Sequence, residues 1–276
     1  MVSGGQPINI QLEAGKKAYF SSDHHFGAPN ENDSLVREKL FVQWLDEIKD
    51  DCGVLFLIGD LFDFWFEYKY VVPKGFVRVL GKLAELSDKG IPIYFFVGNH
   101  DLWMKDYLKE QINAIVFRDK QDFLINGKEF FIVHGDGKGP GDKGYKRMKK
   151  IFTNKICQFL FYLLHPDLAM WLGITVSRKN KMISGEEDVN FLGLENEWLI
   201  AYTKQQLNRK HYDFLVYGHR HLPMDITIGQ THHINLGDWI NYFTYGVFDG
   251  EKFDLKTYIS NESEEFRDSI IKIKDQ

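Results

Sequence analysis

Five short polar clusters carry the residue types that hold metal ions: "DHH" at 23 to 25, "GDLFD" at 59 to 63, "GNHD" at 98 to 101, "VHGD" at 133 to 136 and "GHRH" at 218 to 221. Carboxylate, imidazole and carboxamide oxygen are ligands for divalent first-row ions, and a mixed N/O set without thiolate points to Mn, Fe, Zn or Co. The candidate ligands are Asp23, His25, Asp60, Asn99, His134, His219 and His221. They are too many for one ion and suit two, about 3.5 to 4 Å apart with one carboxylate shared, as in two-metal hydrolytic sites. Within "DHH", alternate residues leaving a strand project to the same side, so Asp23 and His25 point to the metal while His24 points the other way and is either structural or a support behind the ligands.

Each cluster alone has an ordinary reading. Asp23, Asp60 or Asp63 can cap a helix, Gly98 can serve a turn at positive φ, and "GHRH" can be a surface loop. The ordered set points to a site, because the clusters recur at the ends of one kind of element.

Those elements are short, continuously apolar runs: "AYFSSDHH" at 18, "VLFLIGD" at 54, "IYFFVGNHD" at 93, "EFFIVHGD" at 129, "DFLVYGHRH" at 213 and "HHINLGD" at 232. Runs of this kind read as strands buried on both faces. Between them lie helix-like segments: one from Asp33 with Leu35, Leu40, Phe41, Trp44, Leu45 and Ile48 on one stripe, one ending at Gly90 and one from Leu194. The alternation predicts an α/β sandwich with a largely parallel central sheet, and ligands bind beyond the carboxyl ends of such strands. The last third, with Asp249-Gly250 as a hairpin turn, reads as antiparallel and as forming or extending a second sheet.

Composition bounds the rest. The chain of 276 residues, 44% hydrophobic and 15% aromatic, suits one globular domain with an insertion. Cys52 and Cys157 lack metal-type spacing, so a disulfide framework and a zinc ribbon are both excluded, and the N-terminus lacks the pattern of a secretory signal. A cytoplasmic location is expected. Net charge is −5, yet residues 138 to 181 hold ten Lys and Arg against two Asp, or +8, leaving −13 on the remainder. A basic block in an acidic chain calls for an anionic partner.

The motif series D-x-H, GD, GNHD, a later strand-end His and GHxH, spanning roughly residues 18 to 240, resembles the calcineurin-like metallophosphoesterases. The resemblance implies a four-layer α/β/β/α sandwich with a dinuclear centre: Asp23, His25 and His221 on one ion, Asn99, His134 and His219 on the other, and Asp60 bridging. It implies in-line attack of a metal-bridging hydroxide on phosphorus, with His100 donating a proton or hydrogen bond to the phosphoryl or leaving-group oxygen and Asp101 orienting it.

The substrate is to be read from the insertion, about residues 138 to 195, set within a single domain of residues 1 to 276. Its basic ends flank an apolar stretch from Ile156 to Val176, interrupted by Gln158, His165, Pro166 and Asp167, which argues against a membrane span. Two readings stay open: two core-packed helices capping the sandwich, or a helical lid that is apolar towards acyl chains or a bilayer and basic towards phosphates. Burial of acyl methylenes, about 0.8 kcal/mol each, would dominate recognition in the second case. Nucleic acid is not expected, because the basic residues flank aliphatic bulk instead of alternating with aromatic rings. No obligate protein partner is evident.

"SSDHHFG", "GDLFDFWFEY", "HGD" before a Tyr-containing basic helix, "GHRHLP" and "INLGDW" are together similar to the UDP-2,3-diacylglucosamine diphosphatases of the lipid A pathway. That likeness implies cleavage to UMP and 2,3-diacylglucosamine 1-phosphate, usually with Mn, on the cytoplasmic face of the inner membrane by a peripheral enzyme. It also implies substrate contacts at Asn99, His100, Tyr145, Arg147, Ser177, Arg178, Asn180 and Lys181. One position departs from it: proteobacterial members commonly have Arg where this chain has His100, as the wider superfamily does. A related phosphodiesterase or phosphomonoesterase with another substrate therefore stays open.

Overall fold

A computed structural model describes residues 6–140, 143–184, 190–258 and 270–274. In chain order its elements are β1 (Ile8–Ile10), β2 (Lys17–Ser21), α1 (Glu31–Ile48), β3 (Cys52–Ile58), α2 (Val77–Asp88), β4 (Ile93–Phe96), α3 (Tyr107–Ile112), β5 (Ile115–Phe117), β6 (Gln121–Ile125) and β7 (Lys128–Ile132). There follow α4 (Lys143–Phe152), α5 (Lys155–Tyr162), α6 (Pro166–Ser184), α7 (Trp198–Leu207), β8 (Phe214–Tyr217), β9 (Pro223–Ile228), β10 (Thr231–Leu236), β11 (Thr244–Phe248), β12 (Phe253–Thr257) and β13 (Ile271–Lys274).

The strands form two mixed sheets instead of one largely parallel sheet. One runs β12-β11-β2-β3-β4-β5 and the other β1-β6-β7-β8-β10-β9-β13. Each contains a parallel core: β2, β3 and β4 in the first, β7, β8 and β10 in the second. The period-2 alternation of a strand explains why these runs are apolar throughout. In β3, Val54, Phe56 and Ile58 enter the space between the sheets with Phe20, Phe130, Ile132, Val216 and Ile234, while Leu55 and Leu57 face outward against Phe41 and Trp44 of α1 and Leu83 of α2. On the far side, Phe131 and Leu215 pack against Leu199 of α7. The result is four layers, α/β/β/α.

Local details differ from the sequence expectations for identifiable reasons. The first helix begins at Glu31 because Asn30, not Asp33, is its cap, its side chain accepting from Asn32 N and Asp33 N at 3.0 and 3.1 Å. The helix expected from Leu194 begins at Trp198. The antiparallel last third serves both sheets: β11 and β12 join β2, while β9 and β10 belong to the second sheet. The turn at Asp249-Gly250 lies in a loop between Phe248 and Phe253, where Asp249 Oδ1 accepts from Glu251 N and Lys252 N.

Among the described residues between β7 and α7 lie the helices α4 to α6. Phe161 packs its ring 4.9 Å from Phe66 and 4.5 Å from Trp103. Ile156, Phe159, Leu160, Leu163 and Trp171 are more than half exposed, so these helices are not simply core-packed. Among the described residues no helix is long and apolar enough to cross a membrane.

Candidate metal centre

The clusters follow β2, β3, β4, β7 and β8, all at carboxyl ends, and the shared direction of the two parallel cores brings them to one edge of the sandwich. The local backbone is unusual. Asp23, His25, Asp60, His219 and His221 have φ between 46° and 68°, a region that costs non-glycine residues energy and is concentrated at functional sites. The strands thus end in tight reversals that turn the side chains into a common space.

The motif glycines make room for that arrangement. A Cβ on Gly98 would overlap the Asp60 carboxylate, one on Gly218 would overlap Ser22 Oγ, and one on Gly59 would lie 2.5 Å from His134 Nδ1. Gly98 is therefore needed for close approach, since it is absent from the positive-φ glycines.

Asp23, His25 and His221 bring ligand atoms within 4.8 Å of one another, and so do Asp60, His134 and His219. Asp60 Oδ2 faces both groups, 3.7 Å from His25 Nε2 and 3.3 Å from His134 Nε2. Asn99 Oδ1 lies 3.2 Å from His134 Nε2. All seven predicted ligands thus converge. Their remaining atoms are tied down: His219 N donates to Asp23 Oδ2 at 2.8 Å, Ser22 Oγ to the same oxygen at 2.5 Å, and His100 N to Asp60 Oδ1 at 2.8 Å. Asp23 Oδ1 is buried without a well-formed hydrogen bond, 3.3 Å from His221 Nε2 and 3.8 Å from His25 Nε2, so in the absence of a cation it leans, among the described residues, on His221 alone. The donor chemistry and this oxygen fit divalent ions.

A carbonyl and a carboxylate face the outer nitrogens of two imidazoles, a second carboxylate stands beside the third without hydrogen-bonding it, and sequence reasoning missed the carboxylates. His134 Nδ1 lies 2.8 Å from Ile58 O, His221 Nδ1 3.3 Å from Asp238 Oδ2, and His25 Nδ1 3.5 Å from Asp63 Oδ1. All three turn Nε2 inward, and for His134 and His221 the outer contact is the arrangement that fixes the tautomer of metal-ligating histidines. The available signal was position: Asp63 stands three residues after Asp60, and Asp238 ends the apolar run at 232. Arg220, between the two histidines of "GHRH", is fully buried and paired with Glu197 at 3.1 Å, which anchors that loop to the start of α7.

Burial disfavours charge on all these groups, but opposite charges override it at several. Burial alone would lower His134 and His221, yet Asp60 and Asp23 respectively raise each to about 10. Burial raises the carboxyls, but His221 holds Asp23, and His134 holds Asp60, below the ordinary carboxylate range. His219 is lowered to about 4 by burial and by neighbouring His134.

The other predicted residues separate. His100 borders the first group, its ring centroid 4.5 Å from that of His25. Asp101 does not orient the His100 ring, correcting that expectation: its oxygens accept from Gly98 N at 2.6 Å and Leu61 N at 3.1 Å, bracing two loops, and burial with neighbouring Asp60 pushes its pKa up. Nδ1 of His100 meets Asp63 O and Ser177 Oγ instead, at 2.8 and 2.9 Å. Arg147 on α4 is exposed, and Arg178 on α6 reaches Gly27 O at 3.4 Å. Tyr145 falls in α4 and Asn180 and Lys181 in α6, with side chains outside the described set. His24 is buried against Phe41 and Trp239 with Nε2 2.8 Å from Ser21 Oγ, and Trp239 is core.

The calcineurin-like phosphoesterase family model matches residues 17–223. The chain is 38% identical over 255 residues to a UDP-2,3-diacylglucosamine hydrolase of Porphyromonas gingivalis, covering 87% of this chain and 97% of that one. It is 27% identical over 229 residues to the protein of the same name from Histophilus somni, covering 81% and 92%. Yfce, a phosphoesterase from E. coli, superposes with a TM-score of 0.43 at 18% identity, covering 87% of this chain and 92% of that one.

Proposed function

Because this chain belongs to the calcineurin-like phosphoesterase family, a family of metal-dependent hydrolases, we propose that it cleaves the pyrophosphate of UDP-2,3-diacylglucosamine to UMP and 2,3-diacylglucosamine 1-phosphate. The observation that carries this reading is the likeness to the Porphyromonas gingivalis UDP-2,3-diacylglucosamine hydrolase along 97% of that protein. Hydrolysis adds water across one P–O–P bond, so UMP and the sugar phosphate account for all atoms.

Asp23, His25 and His221 would hold one divalent ion, Asn99, His134 and His219 a second, and Asp60 both, with Mn the expected metal and Fe, Zn or Co alternatives. Divalent ions held there would supply an acidified water and screening of the phosphoryl charge. The chain's own groups do the rest. Asp238 and Ile58 O keep the imidazoles of His221 and His134 turned inward, with Asp63 beside that of His25. His100, beside the first group and bound through Nδ1, offers Nε2 to the phosphoryl or leaving-group oxygen. Arg147 and Arg178, with Tyr145, Asn180 and Lys181, are the proposed contacts to the diphosphate and sugar.

The insertion supports a lipid substrate. Exposed Ile156, Phe159, Leu163 and Trp171 share it with Lys150, Lys155 and Arg147, a mixture suited to acyl chains and an anionic membrane surface. On this reading the enzyme works peripherally at the cytoplasmic face of the inner membrane. The test is Mn-dependent UMP release from a diacylated against a non-acylated UDP-sugar. Preference for the diacylated substrate is expected. No UMP from UDP-2,3-diacylglucosamine, with turnover of simple aryl phosphates, would favour the other reading that His100 leaves open, a phosphoesterase of different specificity.

A further inference from the structure

We propose that Ser177, on α6 of the insertion, is a positioning residue for His100, so that docking of the insertion completes the reacting site. Ser177 is buried, and its Oγ lies 2.9 Å from both His100 Nδ1 and Asp63 O. His100 Nδ1 is itself 2.8 Å from that carbonyl. A carbonyl only accepts, so Ser177 Oγ–H donates to Asp63 O, and His100 Nδ1–H is shared between the carbonyl and Ser177 Oγ. The proton is thereby placed on Nδ1, and Nε2 is the ring nitrogen left for the substrate. This is a different task from contacting the substrate, which the family resemblance implies for Ser177.

The approach of α6 is built for this contact. Ala169, Gly173 and Ser177 are buried at four-residue spacing, hence on one face, while Leu168, Trp171, Leu172 and Val176 are exposed. A Cβ on Gly173 would overlap the ring of Phe64, the neighbour of Asp63. The small face lets the helix sit close enough for a side chain as short as serine to reach a histidine 77 residues away in sequence.

The inference rests on His100 acting in phosphoester hydrolysis, not on the lipid substrate. With UDP-2,3-diacylglucosamine and Mn, Ser177→Ala is expected to lower kcat about three- to tenfold, the worth of one hydrogen bond, with KM unchanged. Gly173→Val, which displaces α6, should act in the same direction, and Ser177→Thr should keep most of the activity. In a His100→Ala background Ser177→Ala should cost nothing more, whereas Gly173→Val, which also shifts Arg178 on the same helix, should raise KM. In ¹⁵N spectra of the metal-free protein, the His100 Nδ1–H, identified by its loss in His100→Ala, should lose protection from exchange in Ser177→Ala. For Ser177→Ala, a raised KM at unchanged kcat, losses that add fully to that of His100→Ala, or an unchanged Nδ1–H would each overturn the proposal. If the substrate is not turned over at all, the substrate reading fails and the spectral comparison alone decides this one.

Discussion

His25 and His221 approach to 3.2 Å between their Nε2 atoms, from loops 196 residues apart in sequence. Two imidazole nitrogens this close share either a proton or a cation. Their outer nitrogens face carboxylates, Asp63 at 3.5 Å and Asp238 at 3.3 Å, so both lone pairs are aimed at one space. The pairing therefore involves two residues outside the seven predicted ligands, one of which, Asp63, also groups with His25 and His100 at metal-ligand distances.

Asp238→Asn should consequently weaken metal binding without unfolding the chain. Asparagine keeps the turn in which Asp238 Oδ1 accepts from Asn241 N and Tyr242 N at 2.8 and 3.1 Å, but removes the charge beside His221. Such orienting partners are worth roughly 10- to 100-fold in affinity. Calorimetric titration with Mn checks this, and an affinity equal to wild type would remove Asp238 from the site.

Asp60 and His100 should differ in kind. Asp60→Asn removes charge from the oxygen facing both groups and should abolish binding of both ions along with nearly all turnover. His100→Ala should leave metal content intact and lower the rate by about 10²- to 10⁴-fold, the range for a proton donor. Metal analysis beside kinetics separates the two, and equal metal loss would refute the division of roles.

Gly98→Ala tests space against backbone freedom. Its backbone does not need glycine's left-handed range, yet the added methyl would strike the Asp60 carboxylate. Overpacking of this kind costs about 1–3 kcal/mol, and here the strain falls on a ligand. A drop in Tm with loss of metal is expected; normal Tm and metal content would mean that the loop gives way.

Acid should destabilise the metal-free protein partly through His233, which lies outside the metal centre. It is fully buried, its Nδ1 2.7 Å from Thr203 Oγ1, and burial lowers its pKa from 6.5 to about 3. A histidine lowered on folding contributes stability that is complete above 6.5 and is lost as pH falls towards 3, because the unfolded chain takes up the proton first. Urea midpoints across that window should fall less steeply for His233→Gln. A parallel decline would assign the acid sensitivity to other groups.

The order of ligand motifs and their place at strand ends were legible because each strand is a local apolar run and each ligand set is a short local pattern. The seven candidates by themselves already point to a two-metal centre. The insertion was visible as a basic and apolar block, but three helices with one packed and one exposed side were not, since Phe161 and Phe159 are chemically alike and only their neighbours separate them.

What the tertiary structure alone decided is the set of contacts between distant loops. Asp63 beside His25, Asp238 beside His221, Arg220 on Glu197 and Ser177 against His100 join residues that no periodicity or spacing relates. The positive φ at five ligand positions belongs here too. A residue's type does not encode strain that the rest of the fold imposes on it. Sequence determined which atoms can bind; the meeting of two sheet edges determined which nitrogen of each ring faces the common space.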